Sequence, residues 1–181
     1  PVSEVIREAA EPHLDRGVEI IFELNLKSKE DISQPVIQRL PEIIHGLRNM
    51  IQNAIDFADS KVWIILSWSQ SDIKIIINDD GPGFPVQMIS RIGDPFVSYR
   101  KTSSVRSKQI DYEGMGLGLF IAKTLLERTN AKLSFSNGAS GLVDGLGNEG
   151  QIGAVVEISW ARSDIEKKTN LSGENENLNV F

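Results

Sequence analysis

The stretch PEIIHGLRNMIQNAIDFA, from Pro41 to Ala58, sets the framework of the chain. Its apolar residues recur at helical spacing and form one stripe, and Pro41 suits the first turn of a helix. The stripe consists of Ile43, Leu47, Met50, Ile51, Ala54 and Ala58. This pattern predicts an amphipathic helix over 42–58, the strongest helix signal in the sequence.

Two strands are predicted directly after this helix. Segments 62–69 and 73–78 are rich in branched residues and flank the polar pair Gln70-Ser71, which predicts an antiparallel hairpin. A glycine turn follows, and then a polar, serine-rich stretch over 85–114 with one short helical possibility near 87–92. A loop of that length inside a compact domain is usually functional or disordered.

The flanking segments add further helices and strands. We expect a second helix over 117–129, strands over 131–136 and 153–160, and a glycine-rich hairpin loop between them. Before the central helix, we expect a short helix over 3–15 interrupted at Pro12, a half-buried strand over 18–26 and an edge strand near Val36. Beyond Ser163 the polar sequence predicts a disordered tail.

The composition predicts one globular domain and argues against several functions. The 181 residues are 40% hydrophobic and 24% charged. A net charge of −6 without a basic cluster makes nucleic acid an unexpected partner. The absence of cysteine excludes disulfides, thiolate zinc sites and cysteine nucleophiles. The apolar runs are far shorter than the roughly 20 residues that span a bilayer, so we expect no membrane contact from this fragment.

Asn49 and Asn53 lie four residues apart on the predicted helix, on the face opposite the apolar stripe. That face also carries His45, Gln52 and Asp56. A solvated helix face is one explanation, although asparagine is unfavourable in mid-helix because it favours caps and turns. The other is a cation site, since neutral amide oxygens suit a magnesium ion already neutralised by phosphates.

The sequence Asp79-Asp-Gly-Pro-Gly-Phe84 follows the second strand of the hairpin. Asp and Gly are common turn residues, so an ordinary turn is one explanation. Purine recognition is the other, because a carboxylate at a strand end accepts a hydrogen bond from an exocyclic amine. Gly81 and Gly83 would then let a flat base approach the backbone closely.

Three alternate glycines, Gly114, Gly116 and Gly118, open the second helix. They serve either as a hinge or as a set of backbone N–H groups that bind phosphate at the positive helix end. Their spacing fits neither a dinucleotide fingerprint nor a P-loop. His13 and His45 are interpreted as surface residues, since neither belongs to a triad or a two-histidine metal motif.

Four short motifs in a fixed order carry a family resemblance. They are Asn49-Met-Ile-Gln-Asn-Ala54, Asp79-x-Gly-x-Gly83, Asp94-Pro-Phe96 and Gly114-x-Gly-x-Gly-Leu119. Together they resemble the N, G1, F and G2 boxes of sensor histidine kinases, over about residues 18–160. The segment 114–128 is similar to the RegB/PrrB-type redox-responsive kinases. Four boxes in the right order are far more specific than any one of them.

The resemblance implies an α/β fold, a two-layer sandwich with a mixed sheet and helices on one face, known as the Bergerat ATP-binding fold. It implies that residues 1–17 form a connector helix from a missing dimerisation and phosphoacceptor region. Residues 18–162 would be the catalytic ATP-binding domain, with a lid at about 86–113, and 163–181 the disordered tail. ATP and Mg²⁺ are the implied cofactors.

The resemblance also assigns roles to individual residues. Asn53 would ligate magnesium, Asn49 would support the phosphate and metal network, and Asp79 would bind the adenine amine. Phe96 would anchor the lid, and Arg100, or else Lys101, would reach the γ-phosphate. The glycines that would line the base are Gly81 and Gly83, and those that would line the phosphates are Gly114, Gly116 and Gly118, followed by Leu119 in the same motif.

Three features depart from the family pattern. Many members have a basic residue where Asp56 stands, so one phosphate contact is missing. Gly153-Ala154 replaces a common Gly-Thr pair, which puts a late phosphate or sheet contact in doubt. Neither histidine lies in a phosphoacceptor box, so the acceptor would belong to another segment.

The implied function is transfer of the ATP γ-phosphoryl group to a histidine on the absent dimerisation domain, for relay to a response regulator. One alternative is an ATPase of the same fold, but such enzymes usually have a water-activating glutamate where Asn49 stands. Another is a nucleotide-binding module without catalysis, which Asp56 favours. By analogy, the parent would be a membrane-attached homodimer with this domain in the cytoplasm.

Overall fold

Five strands form one mixed sheet in the computed structural model, which describes residues 1–25, 32–92, 94, 117–138 and 153–167. The sheet order is β1-β2-β3-β5-β4, with β1 parallel to β2 and the other pairs antiparallel. The strands are β1 (Glu19–Leu24), β2 (Lys61–Trp68), β3 (Asp72–Asp79), β4 (Lys132–Asn137) and β5 (Ala154–Ala161). The parallel pair requires a crossover between its strands, which the central helix provides.

The helices pack against one face of this sheet. They are α1 (Val2–Ala10), α2 (Pro41–Phe57), α3 (Leu117–Glu127) and the single turn α4 (Arg162–Ile165), with 3₁₀ turns at Glu11–His13 and Val86–Arg91. Alternate residues of β3, namely Ile73, Ile75 and Ile77, are buried beneath them. The opposite face is open to solvent, as the exposed ion pair between Lys74 and Glu157 shows. This is the predicted two-layer α/β sandwich, and the fold prediction is confirmed.

The predicted helices and strands lie within a few residues of the observed ones. The central helix begins at Pro41, which occupies the first turn as expected. The expected edge strand near Val36 is a single bridge between Ile37 and Glu166. The hairpin loop after β4 and most of the long polar stretch lie outside the described residues.

Both ends of the described chain extend the folded unit beyond the predicted boundaries. Five residues of α1 are buried in the same core as the sheet: Val2, Val5, Ile6, Ala9 and Ala10. Helix α1 therefore packs as part of the domain, and a connection to a preceding segment stays a prediction. The predicted tail begins too early, because Ile165 is buried and Lys167 donates its backbone N–H to Val36. Residues 168–181 lie outside the described part.

One edge of the sheet brings together distant parts of the sequence. Strands β3 and β4 end there, β2 and β5 begin there, and α2 ends beside them. Asn137 at the end of β4 pairs with Ala154 at the start of β5. This edge contains the turn that follows β3, and thus the candidate site.

Candidate nucleotide site

Asp79, the last residue of β3, is the centre of the candidate site. Its exposed fraction is 2%, although it is a carboxylic acid. Its Oδ1 accepts hydrogen bonds from the backbone N–H of Gly81 at 2.9 Å and of Ala154 at 3.2 Å. A buried carboxyl held in this way presents a fixed acceptor at the sheet edge.

Burial raises the pKa of Asp79, because removal from water disfavours the charged carboxylate. The N–H groups of Gly81 and Ala154 oppose this shift, and the negative charges of Asp80 and Asp59 add to it. The net direction is upward, so the fold holds this carboxylate at a free-energy cost. Perturbed acids of this kind cluster at functional sites, although structural networks also produce them.

Gly81 packs directly against the end of α2. A Cβ at this position would lie 2.1 Å from the carbonyl oxygen of Phe57, far inside van der Waals contact. Glycine is therefore required for the turn to lie against the helix. This packing role is independent of any contact that Gly81 makes with a ligand.

Asp80, the next residue, anchors the turn to the loop between α2 and β2. Its carboxylate accepts hydrogen bonds from the N–H groups of Asp59, Ser60 and Lys61 at 2.9–3.0 Å and from the Ser60 hydroxyl at 2.5 Å. Burial alone would raise the pKa of Asp80, but these hydrogen bonds outweigh it and lower the pKa. The pKa is therefore raised for Asp79 and lowered for the adjacent Asp80.

Replacing Asp80 by Asn is expected to destabilise the domain by about 1–2 kcal/mol at neutral pH, because several N–H donors lose a charged acceptor. A lowered folded-state pKa stabilises above the unfolded-state pKa, and this contribution is lost as pH falls through the folded value. Thermal melts at pH 7 and at a series of acidic pH values measure the effect. The difference in stability between the two proteins should narrow as the pH falls below the unfolded-state pKa, and an unchanged difference would contradict this account.

The polar face of α2 belongs to the helix whose last residue, Phe57, contacts this turn. Asn49 and Asn53 are both half-buried, and no other described residue contributes a hydrogen bond to either amide. Asp56 accepts hydrogen bonds from Gln52 at 2.6 Å and from Arg16 at 3.3 Å. Arg16 therefore places a guanidinium beside Asp56, the position where many family members have a basic residue. This ion pair is exposed and therefore weak.

The donor set fits a magnesium ion only with help from a ligand. Within the described ranges, no group of three or more His, Asp or Glu side chains forms a metal cluster. Asn49 and Asn53 would supply neutral amide oxygens, which suits a cation that brings phosphate oxygens with it. The side chains present therefore fit a metal–phosphate complex better than a free ion.

Only part of the predicted phosphate site is described. Gly118 lies in the first turn of α3, where a Cβ would meet no atom of the described residues within 4 Å, and Leu119 is half-buried against the core. No described residue therefore covers the position of a Cβ at 118. The remaining predicted residues, Phe96, Arg100, Lys101, Gly114 and Gly116, lie outside the described residues.

Sequence reasoning missed or misjudged several residues. Ala154 binds Asp79 through its backbone N–H, so this contact needs no hydroxyl from threonine. Asn137, which no motif singled out, binds the backbone of Phe84.

His13 was expected at the surface but is only 5% exposed. Burial lowers its pKa, and the positive charges of Arg16 and Arg48 lower it further. Only the fold reveals these contacts.

Comparison with known proteins identifies the family. Residues 39–163 match the family described as Histidine kinase-, DNA gyrase B-, and HSP90-like ATPase. The chain is 54% identical over 160 residues to the sensor histidine kinase RegB of Cereibacter sphaeroides, covering 88% of this chain and 35% of RegB. The chain therefore belongs to this ATPase family, and within it is similar to a sensor histidine kinase. The predicted resemblance, including the similarity to RegB, is confirmed.

More distant relatives support the same family. The C4-dicarboxylate transport sensor protein DctB of Pseudomonas aeruginosa is 29% identical over 100 residues, covering 52% of this chain and 15% of DctB. The chain spans about a third of the length of RegB and less of DctB. The activities of the full-length relatives are therefore not assigned to this segment.

Solved structures confirm the fold. The mycobacterial sensor histidine kinase MprB has a TM-score of 0.61 at 22% identity, with 88% of this chain and 95% of that chain covered. The catalytic domain of the histidine kinase ThkA has a TM-score of 0.62 at 20% identity, covering 89% and 94%. In the part of our chain that the structure describes, no helix combines the length and apolar character needed to cross a bilayer.

Proposed function

We propose that this domain binds ATP with Mg²⁺ and transfers the γ-phosphoryl group to a histidine on a separate dimerisation domain. The observation that carries the proposal is the buried Asp79 carboxyl, held by two backbone N–H groups in a turn that packs against the end of α2, the helix that carries Asn49 and Asn53. This arrangement joins a base-recognising acceptor to a possible metal–phosphate site. The family match supports ATP as the nucleotide.

The base end of the site is proposed to lie against the turn after β3. Both N–H groups that bind Asp79 use Oδ1, so Oδ2 is the oxygen proposed to accept a hydrogen bond from the adenine amine. Gly81 and Gly83 are proposed to line the flat base. A carboxylate that accepts from an amine discriminates against a base with a carbonyl at that position.

The phosphate end is proposed to lie along α2 and the start of α3. Asn53 is proposed as a magnesium ligand and Asn49 as support for the phosphates. Gly114, Gly116 and Gly118, with Leu119, are proposed to form the phosphate-binding helix start, and Phe96 to anchor a lid at about 86–113. Arg100, with Lys101 as the second candidate, is proposed to neutralise charge on the γ-phosphate.

Transfer is favoured over hydrolysis because Asn49 cannot act as a general base. Phosphoryl transfer depends mainly on positioning and charge neutralisation, which amide and arginine side chains and glycine backbone N–H groups can provide. The bound magnesium would offset the phosphate charge. The acceptor imidazole must come from elsewhere, since His45 belongs to α2 and His13 is buried against it.

The partners follow from this proposal. The acceptor segment would belong to the same parent, and a response regulator would receive the phosphoryl group. We also propose that the parent is a homodimer attached to the inner membrane, with this domain on the cytoplasmic side. The similarity to RegB supports the acceptor domain and the regulator.

Replacing Asn53 by Ala is expected to reduce transfer at least about a hundredfold, because magnesium loses a ligand near the reacting phosphate. The measurement follows γ-labelled phosphate from Mg-ATP to the parent's acceptor segment. His45→Ala, an exposed change on the same helix, is the matched control and should transfer normally.

The outcomes separate the competing functions. Acid-labile label that depends on Asn53 supports the kinase. Phosphate released to water without labelled acceptor supports an ATPase. Binding of Mg-ATP with neither product, when the full-length parent is also inactive, supports the non-catalytic module that Asp56 made plausible.

A further inference from the structure

Asn137, at the end of β4, pairs with backbone groups in the turn after β3. Its Oδ1 accepts a hydrogen bond from the N–H of Phe84, and its Nδ2 donates one to the carbonyl oxygen of the same residue, both at 2.7 Å. An amide side chain has one acceptor and one donor group, as a peptide unit does. Asn137 thus binds Phe84 as a neighbouring strand would, although Phe84 belongs to no strand.

The backbone around Phe84 is fitted to this contact. Gly83 has a φ of +74°, which side-chain-bearing residues rarely adopt, and a Cβ there would lie 2.8 Å from Asn137 Oδ1. The rings of Phe84 and Phe135, two residues before Asn137, are nearly perpendicular, with centroids 6.1 Å apart. The side chain and the backbone of this residue are therefore both fixed by β4.

The same point of the β4–β5 pair holds the other end of the turn. Ala154 lies directly opposite Asn137, and its N–H binds Oδ1 of Asp79. The turn from Asp79 to Phe84 is thus fastened at its first residue by β5 and at its last by β4. The spacing between Asp79 and the Gly83 backbone therefore depends on β4 and β5 as well as on the contacts within the turn.

We propose that Asn137 is a positioning residue for recognition of the nucleotide base. This inference rests on the proposed function, in which Asp79 and Gly83 contact adenine. Asn137 acts through Phe84 and touches no ligand. Its amide holds the Gly83 backbone at the distance from Asp79 that a flat base requires, so its loss should weaken binding of the base and leave binding of the phosphates unchanged.

The test compares two ligands, Mg-ATP and inorganic Mg-tripolyphosphate, by titration calorimetry. Asn137→Leu removes both hydrogen bonds at similar volume, and Asn137→Asp keeps the acceptor for the Phe84 N–H but loses the donor. We expect ATP affinity to fall at least tenfold for the leucine variant and less for the aspartate variant. Tripolyphosphate affinity should change less than twofold in both. Ser136→Ala, an exposed neighbour on β4, is the control.

Each result decides the question. Equal losses for both ligands would overturn the inference, because a general loss of structure weakens them alike, and so would unchanged ATP affinity in a folded variant. If the leucine variant does not fold, the ligand ratio in the aspartate variant decides alone. Failure of the unmodified domain to bind ATP would instead refute the proposed function.

Discussion

Replacing Asp79 by Asn is expected to weaken ATP binding at least about a hundredfold while leaving the domain as stable as before at neutral pH. The side-chain oxygen of the new amide would still accept from Gly81 and Ala154, which bind Oδ1. Its NH₂ group would then face the adenine amine, donor against donor. Sites built around a hydrogen bond reject a mismatched partner strongly, because buried polar groups are left unpaired.

The stability half of this prediction follows from the raised pKa of Asp79. A raised folded-state pKa contributes stability below the unfolded-state pKa, and that contribution is lost as pH rises through the folded value. At neutral pH the charged carboxylate therefore carries a cost that the amide avoids. The melting temperature of the variant at pH 7 should equal or exceed that of the unmodified domain.

Calorimetric titration with Mg-ATP and thermal melts at pH 7 test both halves. ATP affinity of the unmodified domain should also fall on acidification, starting at a less acidic pH than an ordinary aspartate would give. The neighbouring Asp80→Asn change makes a sharp contrast, since it should lower stability at pH 7. A variant at position 79 that melts earlier and binds ATP normally would show that this carboxylate is structural.

Gly153→Ala is expected to destabilise the domain by about 3 kcal/mol, at the upper end of the usual cost of overpacking. A Cβ there would lie 1.8 Å from the carbonyl oxygen of Asp79 and 2.4 Å from its Oδ1. Neither atom can move alone, because β3 and β5 are paired up to this point and the next residue, Ala154, binds Asp79. Relief requires displacing the aspartate itself.

Thermal or urea unfolding measures this cost, and the melting temperature should fall by about 10 °C in a domain of this size. ATP affinity should fall as well, even at temperatures where the variant is folded. Gly118→Ala is the stability control, since no atom of the described residues lies within 4 Å of an added Cβ and alanine favours helices. Equal melting temperatures for the 153 variant and the unmodified domain would contradict the close contact.

Periodicity was enough to predict the sheet and the main helices. The apolar stripe of α2 and the alternation in β3 each correspond to a single local pattern, and the structure buries Leu47 and Ile75 accordingly. The end of the domain was placed too early because residues 163–167 carry few apolar side chains. Ile165 is buried by contact with the segment at 36–38, which a local pattern cannot show.

The candidate site could be proposed from sequence only where its residues lie close together in the chain. Asp79 with Gly81, and Asn49 with Asn53, form short motifs, which indicate a nucleotide site only when they are taken in order with the other motifs. Asn137 and Ala154 act across strands, one through its side-chain amide and the other through a backbone N–H. Asparagine after a strand is usually a turn residue, so nothing in the sequence distinguished Asn137.

The turn after β3 is held by hydrogen bonds from β4 and β5, the last two strands of the chain, and this affects when the turn can form during synthesis of the protein. The contacts of Asp79 with Ala154 and of Phe84 with Asn137 join residues 75 and 53 positions apart. Closing a large loop costs chain entropy. Contacts of this range are therefore expected to form later than local ones. A nascent chain that ends before β5 contains every residue proposed to bind the base but lacks the N–H of Ala154 that holds Asp79. We therefore expect such a truncated chain to bind nucleotide more weakly than the whole domain.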